Sequence, residues 1–309
     1  MRPAASSSRG IALFLTATLL ITTMSAIVQL LSDGVPLGEI IFFRCFVGMV
    51  PIAIYTMIRG QFPRALGTRK PLVHLQRAAI GVTAMGLNFY ALSQLSLANA
   101  QALGYLAPVM ALPLAGLLLG EAVGARHFAA IGLGFAGVGL MLWPAMSLPG
   151  NDATYGIIAG VAFAGTSAFV RVHIRGMTAT ESGPAIAFWF TVAGSVIGLM
   201  TLPLGWVVPD AGTMALLVLT GLLGGAAHIF STEAQSRAQV STLAIFEYSG
   251  LVWALAFDVV LLGAFPGPWS LAGAGAIVAA AMLSTLPAAL RRRRERRAAK
   301  KMPRHPAEG

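Results

Sequence analysis

The chain has little charge and almost no cysteine. Of its 309 residues, 10% are charged and 57% are hydrophobic, whereas soluble domains carry about 25% charged residues. A soluble protein of this length could not remove so much apolar surface from water. The one cysteine, Cys45, excludes an internal disulfide and a cysteine-rich metal site. The composition therefore predicts a membrane protein.

Signatures of catalysis are also missing. The sequence contains no HExxH, no GxSxG and no GxxxxGK[ST] motif. We therefore expect no enzymatic activity, no cofactor and no metal site. The missing phosphate-binding loop also argues against ATP-driven transport by this chain.

The net charge of +10 comes mostly from the C-terminus. Residues 291–309 hold nine Lys/Arg and two Glu, and the remainder has 12 basic and nine acidic residues. A basic cluster directly after an apolar run is typical of the cytoplasmic anchor of a last membrane helix, and it suits contact with anionic lipid. Since no aromatic residues interleave the basic ones, we expect no nucleic-acid partner.

Ten apolar runs have the length of about 20 residues that a bilayer core requires. The first is too long for the apolar region of a signal peptide, so it is predicted to be a retained helix. The predicted spans are 10–31, 39–58, 72–94, 98–119, 126–143, 154–174, 184–204, 211–233, 240–262 and 269–290.

The distribution of basic residues supports ten spans with both termini in the cytoplasm of an inner-membrane protein. With that arrangement, 20 of the 21 Lys/Arg fall in cytoplasmic segments or at their edges, Arg77 among them. The outside connections receive no basic residue, but they hold Asp33, Asp152 and Asp210. This is the separation that the positive-inside rule predicts. Only Arg44 is left inside a span.

The chain divides into two halves, 10–143 and 154–290, followed by the basic tail 291–309. Each half holds five predicted spans, and an odd number forces the second half to sit inverted in the membrane. Inverted repeats are typical of secondary transporters. The halves echo each other at three pairs of motifs: Gly10-Ile11 with Gly156-Ile157, Phe42-Phe43 with Phe188-Trp189, and Gly132-Leu133-Gly134 with Gly273-Ala274-Gly275.

Several motifs resemble those of the drug/metabolite transporter superfamily, with two EamA-type repeats. The first half carries Ala107-Pro108-Val109, Leu118-Leu119-Gly120-Glu121 and Gly137-Val138-Gly139, and the second carries Phe246-Glu247-Tyr248 and Trp253. The resemblance implies an all-α integral membrane fold of ten helices in two inverted five-helix repeats. The second half departs from the family pattern at one motif. Leu262-Gly263 stands there at the position that corresponds to Gly120-Glu121 in the first half. A role for Glu121 that is repeated symmetrically in both halves is therefore lost.

This resemblance implies a secondary transporter for a small organic metabolite, such as a vitamin, a nucleoside-like compound, an amino acid or a drug-like molecule. It would work by alternating access, with proton coupling as a further hypothesis. The pattern Glu39…Arg44 with Phe246-Glu247-Tyr248 is similar to members that take up riboflavin or S-adenosylmethionine, and amino-acid exporters look alike at this level. A membrane sensor or assembly factor that transports nothing is the alternative. Either a monomer or a homodimer fits.

Three ionisable residues inside predicted spans are the first candidates for a substrate site, because such residues are costly in lipid. Glu247 and Asp258 lie 11 residues, or about three turns, apart in the ninth span, so one helix face is predicted to carry both. Glu247 is interpreted as a substrate ligand or proton carrier, as a carboxylate bound to a neighbouring helix, or as one close enough to the membrane interface to stay hydrated. Arg44 either binds an anionic substrate group, or pairs with Asp258 or Glu39, or extends its charged end outward to the membrane surface.

Uncharged polar and aromatic side chains are further candidates for lining a central cavity. An interfacial aromatic belt, plain packing or a hydrogen bond between helices would also account for them. Pro108 and Pro113 predict a break or a bend in the fourth span. The further candidates are Asn88, Gln94, Tyr105, His228, Tyr248 and Trp253.

Overall fold

A computed structural model of the chain shows regular structure that is helical throughout the part it describes. These residues are 4–68, 70–119, 125–146, 152–177, 180–238, 243, 246–261 and 263–283.

The helices follow one another with short connections, two of which contain a 3₁₀ turn, Arg64–Leu66 and Leu202–Leu204. The α-helices are α1 (Ala4–Leu31), α2 (Leu37–Ile58), α3 (Pro71–Gln94), α4 (Leu97–Gly104), α5 (Leu106–Leu119), α6 (Ala125–Met146), α7 (Asp152–Met177), α8 (Gly183–Leu199), α9 (Ala211–Arg237), α10 (Ser249–Val260) and α11 (Pro268–Leu283).

Five helical segments are long and apolar enough to cross a bilayer by themselves: Ser8–Leu31, Leu37–Ile58, Ala153–Ile174, Gly183–Leu204 and Ala211–Arg237. Shorter apolar helices are Phe128–Met141, Ser249–Val260 and Pro268–Leu283. The protein is therefore an all-α integral membrane protein. The count of ten spans remains a prediction.

The fourth predicted span, 98–119, is two helices rather than one. Helix α4 ends at Gly104, and the Tyr105 N–H bonds to the Ala102 carbonyl at 3.1 Å in a tight turn before α5 begins. Pro108 lies in the first turn of α5, where its missing N–H is tolerated. Its ring would clash with the carbonyl four residues earlier, at Gly104, in a continuous helix. The break therefore precedes Pro108 by one turn.

The ninth predicted span, 240–262, also differs from a continuous helix. Helix α10 begins at Ser249, and Glu247 and Tyr248 form the turn that precedes it. Residues 239–242, 244 and 245 lie outside the described part of the chain. Glu247 is therefore not two turns inside a helix, as predicted, but at the entrance to one.

The most extensive packing joins helices of the two halves. Helix α1 packs on α9, α2 packs on α8 and α9, and α3 packs on α7 and α8. The buried core runs through these contacts and includes Phe89, Leu103, Leu106, Leu217 and Ile277. The two halves therefore share one buried core.

Glycine allows α2 and α9 to approach closely. A Cβ at Gly225 would lie 2.6 Å from the Gly48 carbonyl oxygen, and a Cβ at Gly221 would lie 2.8 Å from the Phe43 carbonyl oxygen. Side chains at these positions would force the backbones apart, because real Cβ atoms do not approach so closely. Small residues at this spacing are a common device for packing helices in membranes.

Candidate functional site

A cavity of about 200 Å³, with several polar side chains in a mostly apolar wall, lies between the two halves of the protein. Helices α1 and α4 contribute walls from the first half, and α9, α10 and the turn before α10 contribute walls from the second. The volume suits a compact metabolite and lies somewhat below that of typical drug-sized sites, about 300–1,000 Å³. The cavity is lined by Phe14, Ala17, Thr18, Ile21, Thr22, Gln101, Tyr105, Ser231, Glu247 and Gly250.

Tyr105 reaches the cavity because the fourth span is broken at this residue. Its hydroxyl donates a hydrogen bond to the Glu247 backbone carbonyl at 3.0 Å, which joins the break in α4–α5 to the turn before α10. Its ring also contacts the Tyr248 ring, with centroids 5.2 Å apart. A side chain at Gly250 would meet the Tyr105 hydroxyl, so this glycine provides the space for it.

Glu247 carries the negative charge of the cavity. Its carboxylate accepts a hydrogen bond from Arg171 of α7 at 2.8 Å. The side chains of Arg171 and Glu247 remain 50% and 31% exposed. An ion pair of this exposure contributes little to stability, typically 0–1 kcal/mol. Arg171 can therefore separate from Glu247 at small energetic cost. The sequence did not indicate that these two residues pair.

Asp258 does not join Glu247 in the cavity. Its side chain is fully buried, and its two oxygens accept hydrogen bonds from the backbone N–H groups of Leu97 and Ala98, both at 2.8 Å. These donors belong to the first turn of α4, where N–H groups have no partner within the helix and a negative charge is favoured. Asp258 therefore fixes the position of α4, whose Gln101 lines the cavity.

Arg44 lies in a separate cluster. Its Nη2 atom is 3.3 Å from His228 Nε2 on α9, and its guanidinium lies 5.6 Å from the centre of the Phe190 ring on α8. The expected pairing with Asp258 or Glu39 is wrong. Asp258 binds α4, and Glu39 accepts a hydrogen bond from the Val207 backbone N–H at 3.1 Å.

Arg77 is a member of the same cluster, although its place near the predicted start of the third span indicated a cytoplasmic position. It is only 8% exposed, and its guanidinium lies 4.1 Å from the centre of the Phe190 ring, nearer than that of Arg44. Gly81, one turn further along α3, leaves the space that the Arg77 side chain occupies. The sequence alone gave no sign that a ring from the second half would cover this arginine.

The other candidates lie away from the lining of the cavity. Gln94 donates to the neighbouring Ser93 hydroxyl at 3.1 Å and faces Gly156 of α7. The Trp253 indole N–H is buried and has no hydrogen-bond partner within the described part of the chain. Asn88 is partly buried on α3, and Tyr248 packs on Tyr105 behind the cavity wall.

Four polar lining residues escaped the sequence analysis: Thr18, Thr22, Gln101 and Ser231. Thr18 and Thr22 are one turn apart in α1, a helix that also carries Thr16, Thr23 and Ser25, so their shared face was the available signal. The Thr18 hydroxyl lies 2.8 Å from that of Ser249, so it ties α1 to the start of α10. In the described residues, no three His, Cys, Asp or Glu side chains come together as a metal site.

Comparisons with known proteins agree with this architecture. A crystal structure with 22% sequence identity superposes with a TM-score of 0.66 and covers 91% of this chain and 98% of its own. The pseudopaline exporter CntI of Pseudomonas aeruginosa is 28% identical over 88% of this chain and 94% of its own length. The riboflavin transporter of Rhizobium johnstonii is 27% identical over 71% of each chain. Solute carrier family 35 member G1 of Mus musculus is 28% identical over 82% of this chain and 72% of its own.

Residues 8–143 match the EamA-like transporter family. With this match, the helical membrane architecture and relatives named as transporters along most of the chain, the protein is a transporter of small molecules and not an enzyme. The match over residues 8–143 and these relatives support an EamA-type membrane transporter of the drug/metabolite transporter superfamily.

Proposed function

We propose that this protein is a secondary transporter that moves a small organic metabolite across the inner membrane by alternating access. The observation that carries the proposal is the cavity between the two halves, with the polar side chains of Tyr105 and Glu247 in its wall. The relatives named for pseudopaline and riboflavin support an organic metabolite as the substrate class. Transport would proceed by movement of one half against the other around this cavity.

The packing of the helices supports two inverted repeats of five spans. If the repeats are related by a two-fold axis, the contact of α1 with α9 corresponds to that of α7 with α3, and the contact of α2 with α9 corresponds to that of α8 with α3. All four contacts occur. Gly137 of α6 and Gly273 of α11 also pack reciprocally, since a Cβ on either would lie within 2.7 Å of the carbonyl oxygen of the other.

Glu247 is the group that we propose couples transport to protons. Its carboxylate lines the cavity and its salt bridge to Arg171 is partly exposed. Protonation of Glu247, or a cationic or hydrogen-bonding substrate group, would release Arg171. Because the Glu247 backbone carbonyl accepts from Tyr105, a change at this turn reaches the break between α4 and α5 directly.

The test begins with a thermal-shift screen of the purified protein against vitamins, nucleosides and amino acids, followed by liposome flux of the compounds that bind. We expect flux to increase with an imposed pH gradient, and Glu247→Gln to reduce that increase at least tenfold. Asp210→Asn is the matched control, because Asn also caps a helix well and Asp210 lies at the start of α9, away from the cavity. An unchanged response to the gradient in Glu247→Gln would remove the coupling role.

The proposed membrane topology can be tested by labelling single cysteines introduced into the connections between helices, because the sequence has no exposed cysteine of its own. Cys45 is fully buried, and a Cys45→Ser background removes it. In cells with both termini in the cytoplasm, Asp33→Cys and Asp210→Cys are expected to react with an impermeant maleimide from outside, and Gln61→Cys only after lysis. Labelling of Asp33→Cys and Asp210→Cys from opposite sides would be incompatible with inverted five-span repeats.

A further inference from the structure

The cluster of Arg44 and Arg77 has more positive charge than the surrounding protein balances. Both side chains are 8% exposed. Both guanidinium groups contact the Phe190 ring, at 5.6 and 4.1 Å from its centre, so the two charges are less than about 10 Å apart. Little water can screen them from each other at this depth, and their repulsion opposes the arrangement.

No carboxylate in the described part of the chain pairs with either arginine. Glu39 binds the backbone at Val207, Asp258 binds the start of α4, and Glu181 pairs with His74 at 3.1 Å. The remaining polar neighbours of Arg44 are His228 at 3.3 Å and the Cys45 sulfur at 4.0 Å. Neither neighbour is an acidic residue, so neither supplies the negative charge of a carboxylate.

Three donor atoms of the cluster are buried with no hydrogen-bond acceptor among the residues that the structure describes: Arg44 Nε, Arg77 Nε and Arg77 Nη1. Unsatisfied buried donors of charged groups are costly, and each requires an explanation such as a ligand. Arginine presents its N–H groups as a planar fork that matches the two oxygens of a carboxylate or phosphate. The Phe190 ring lies close to both forks, with its centre 5.6 Å from the guanidinium carbon of Arg44 and 4.1 Å from that of Arg77.

We infer that Arg44 and Arg77, with His228, form a binding site for the oxyanion group, carboxylate or phosphate, of the transported metabolite. This inference rests on the proposed function for the identity of the ligand as a substrate, and it deepens that proposal by assigning an anionic substrate class. The site combines two helices of each half: α2 and α3 supply the arginines, and α8 and α9 supply Phe190 and His228.

The site connects with the surroundings of the cavity along α1 and α9. His228 lies one turn from Ser231, which lines the cavity. Met24 of α1, two residues after the cavity residue Thr22, lies with Arg44 against Gly224 of α9. Beside His228 the present structure leaves a cleft of only about 20 Å³, room for about one water molecule. The oxyanion therefore binds when the two halves separate, and the arginines close on it.

The test measures binding to the full-length purified protein in detergent, independently of flux. Thermal stability is followed while chloride is replaced, at constant ionic strength, by acetate, succinate, citrate or inorganic phosphate. We expect at least one of these anions to stabilise the wild type, with a dissociation constant that rises tenfold or more in Arg44→Met and Arg77→Met. Arg59→Met is the control, because Arg59 is an exposed arginine that pairs with Glu233.

Several outcomes would overturn the inference. It fails if none of the four anions stabilises the wild type, or if both arginine variants bind as the wild type does. It also fails if only phosphatidylglycerol, and no soluble anion, stabilises the protein relative to phosphatidylcholine micelles, since the site would then hold lipid. Where the Met variants do not fold, Arg44→Lys and Arg77→Lys keep the charge without the fork, and unchanged affinity in both contradicts the inference.

The result is separable from that of the flux experiment. Anion binding that depends on both arginines, without flux in liposomes, would keep the anion site and reject secondary transport. Flux of neutral or cationic metabolites alone, with no anion binding, would keep transport and reject the anion site.

Discussion

The buried carboxylate of Asp258 supports a helix that the cavity depends on. Removal of this carboxylate in Asp258→Ala leaves the backbone N–H groups of Leu97 and Ala98 without acceptors. Water cannot replace the carboxylate easily, because Asp258 is fully buried. The variant is therefore expected to lose stability and to release the start of α4.

The magnitude follows from the two hydrogen bonds. A hydrogen bond to a charged group contributes about 1.5–3 kcal/mol net, so the loss of both destabilises the folded state by about 3–6 kcal/mol. Each kcal/mol lowers the midpoint of unfolding by roughly 2–4 °C in proteins of 150–250 residues, so a decrease of at least about 6 °C is expected. Asp258→Asn keeps one acceptor oxygen and is expected to lose about half as much.

The assay is thermal unfolding of purified variants in one detergent at one scan rate, since membrane proteins unfold irreversibly and the midpoint depends on the rate. Asp33→Ala is the control, because it removes an exposed carboxylate from a connection. If Asp258→Ala unfolds within 2 °C of the wild type, Asp258 does not hold α4, and the argument from its hydrogen bonds is wrong.

Two further substitutions test the walls of the cavity and the packing between the halves. Tyr105→Phe removes the hydroxyl that bonds to the Glu247 carbonyl. We expect it to destabilise the folded state by about 1 kcal/mol and to lower the initial rate of flux several-fold. A rate equal to that of the wild type would contradict the role of this contact. Gly225→Ala places a Cβ 2.6 Å from the Gly48 carbonyl oxygen and is expected to cost about 1–3 kcal/mol in thermal unfolding. Gly139→Ala meets no atom within 4 Å and is the control; equal midpoints for the two alanine variants would refute the close approach of α2 and α9.

The positions of the membrane helices were largely predictable because hydrophobicity is a local property of the sequence. The second span was predicted at 39–58 and is observed at Leu37–Ile58, and the eighth was predicted at 211–233 and is observed at Ala211–Arg237. The sequence did not predict that the fourth span breaks at Tyr105, although Pro108 predicted a break or a bend somewhere in that span. Its position depends on Asp258, 153 residues later, which caps α4 from another helix.

The cavity was only partly predictable, because its residues come from helices distant in the sequence. Glu247 and Tyr105 were identified by their chemistry, and both line it. Arg77 was assigned to the membrane edge because its sequence position is near the start of α3. Its burial depends on Phe190 of the other half and on the space at Gly81, and neither contact can be recognised from local sequence.

The packing of α1 on α9 has a consequence for biosynthesis. Helix α1 is complete at Leu31, but α9 ends only at Arg237, about 200 residues later. At 5–20 residues per second, the ribosome needs about 10–40 s to make the intervening chain. During this interval the surface of α1 that will contact α9 faces lipid or the insertion machinery, together with Thr18 and Thr22. A nascent chain truncated before α9 therefore holds an inserted first helix that contacts α3 and α4 but lacks its most extensive partner.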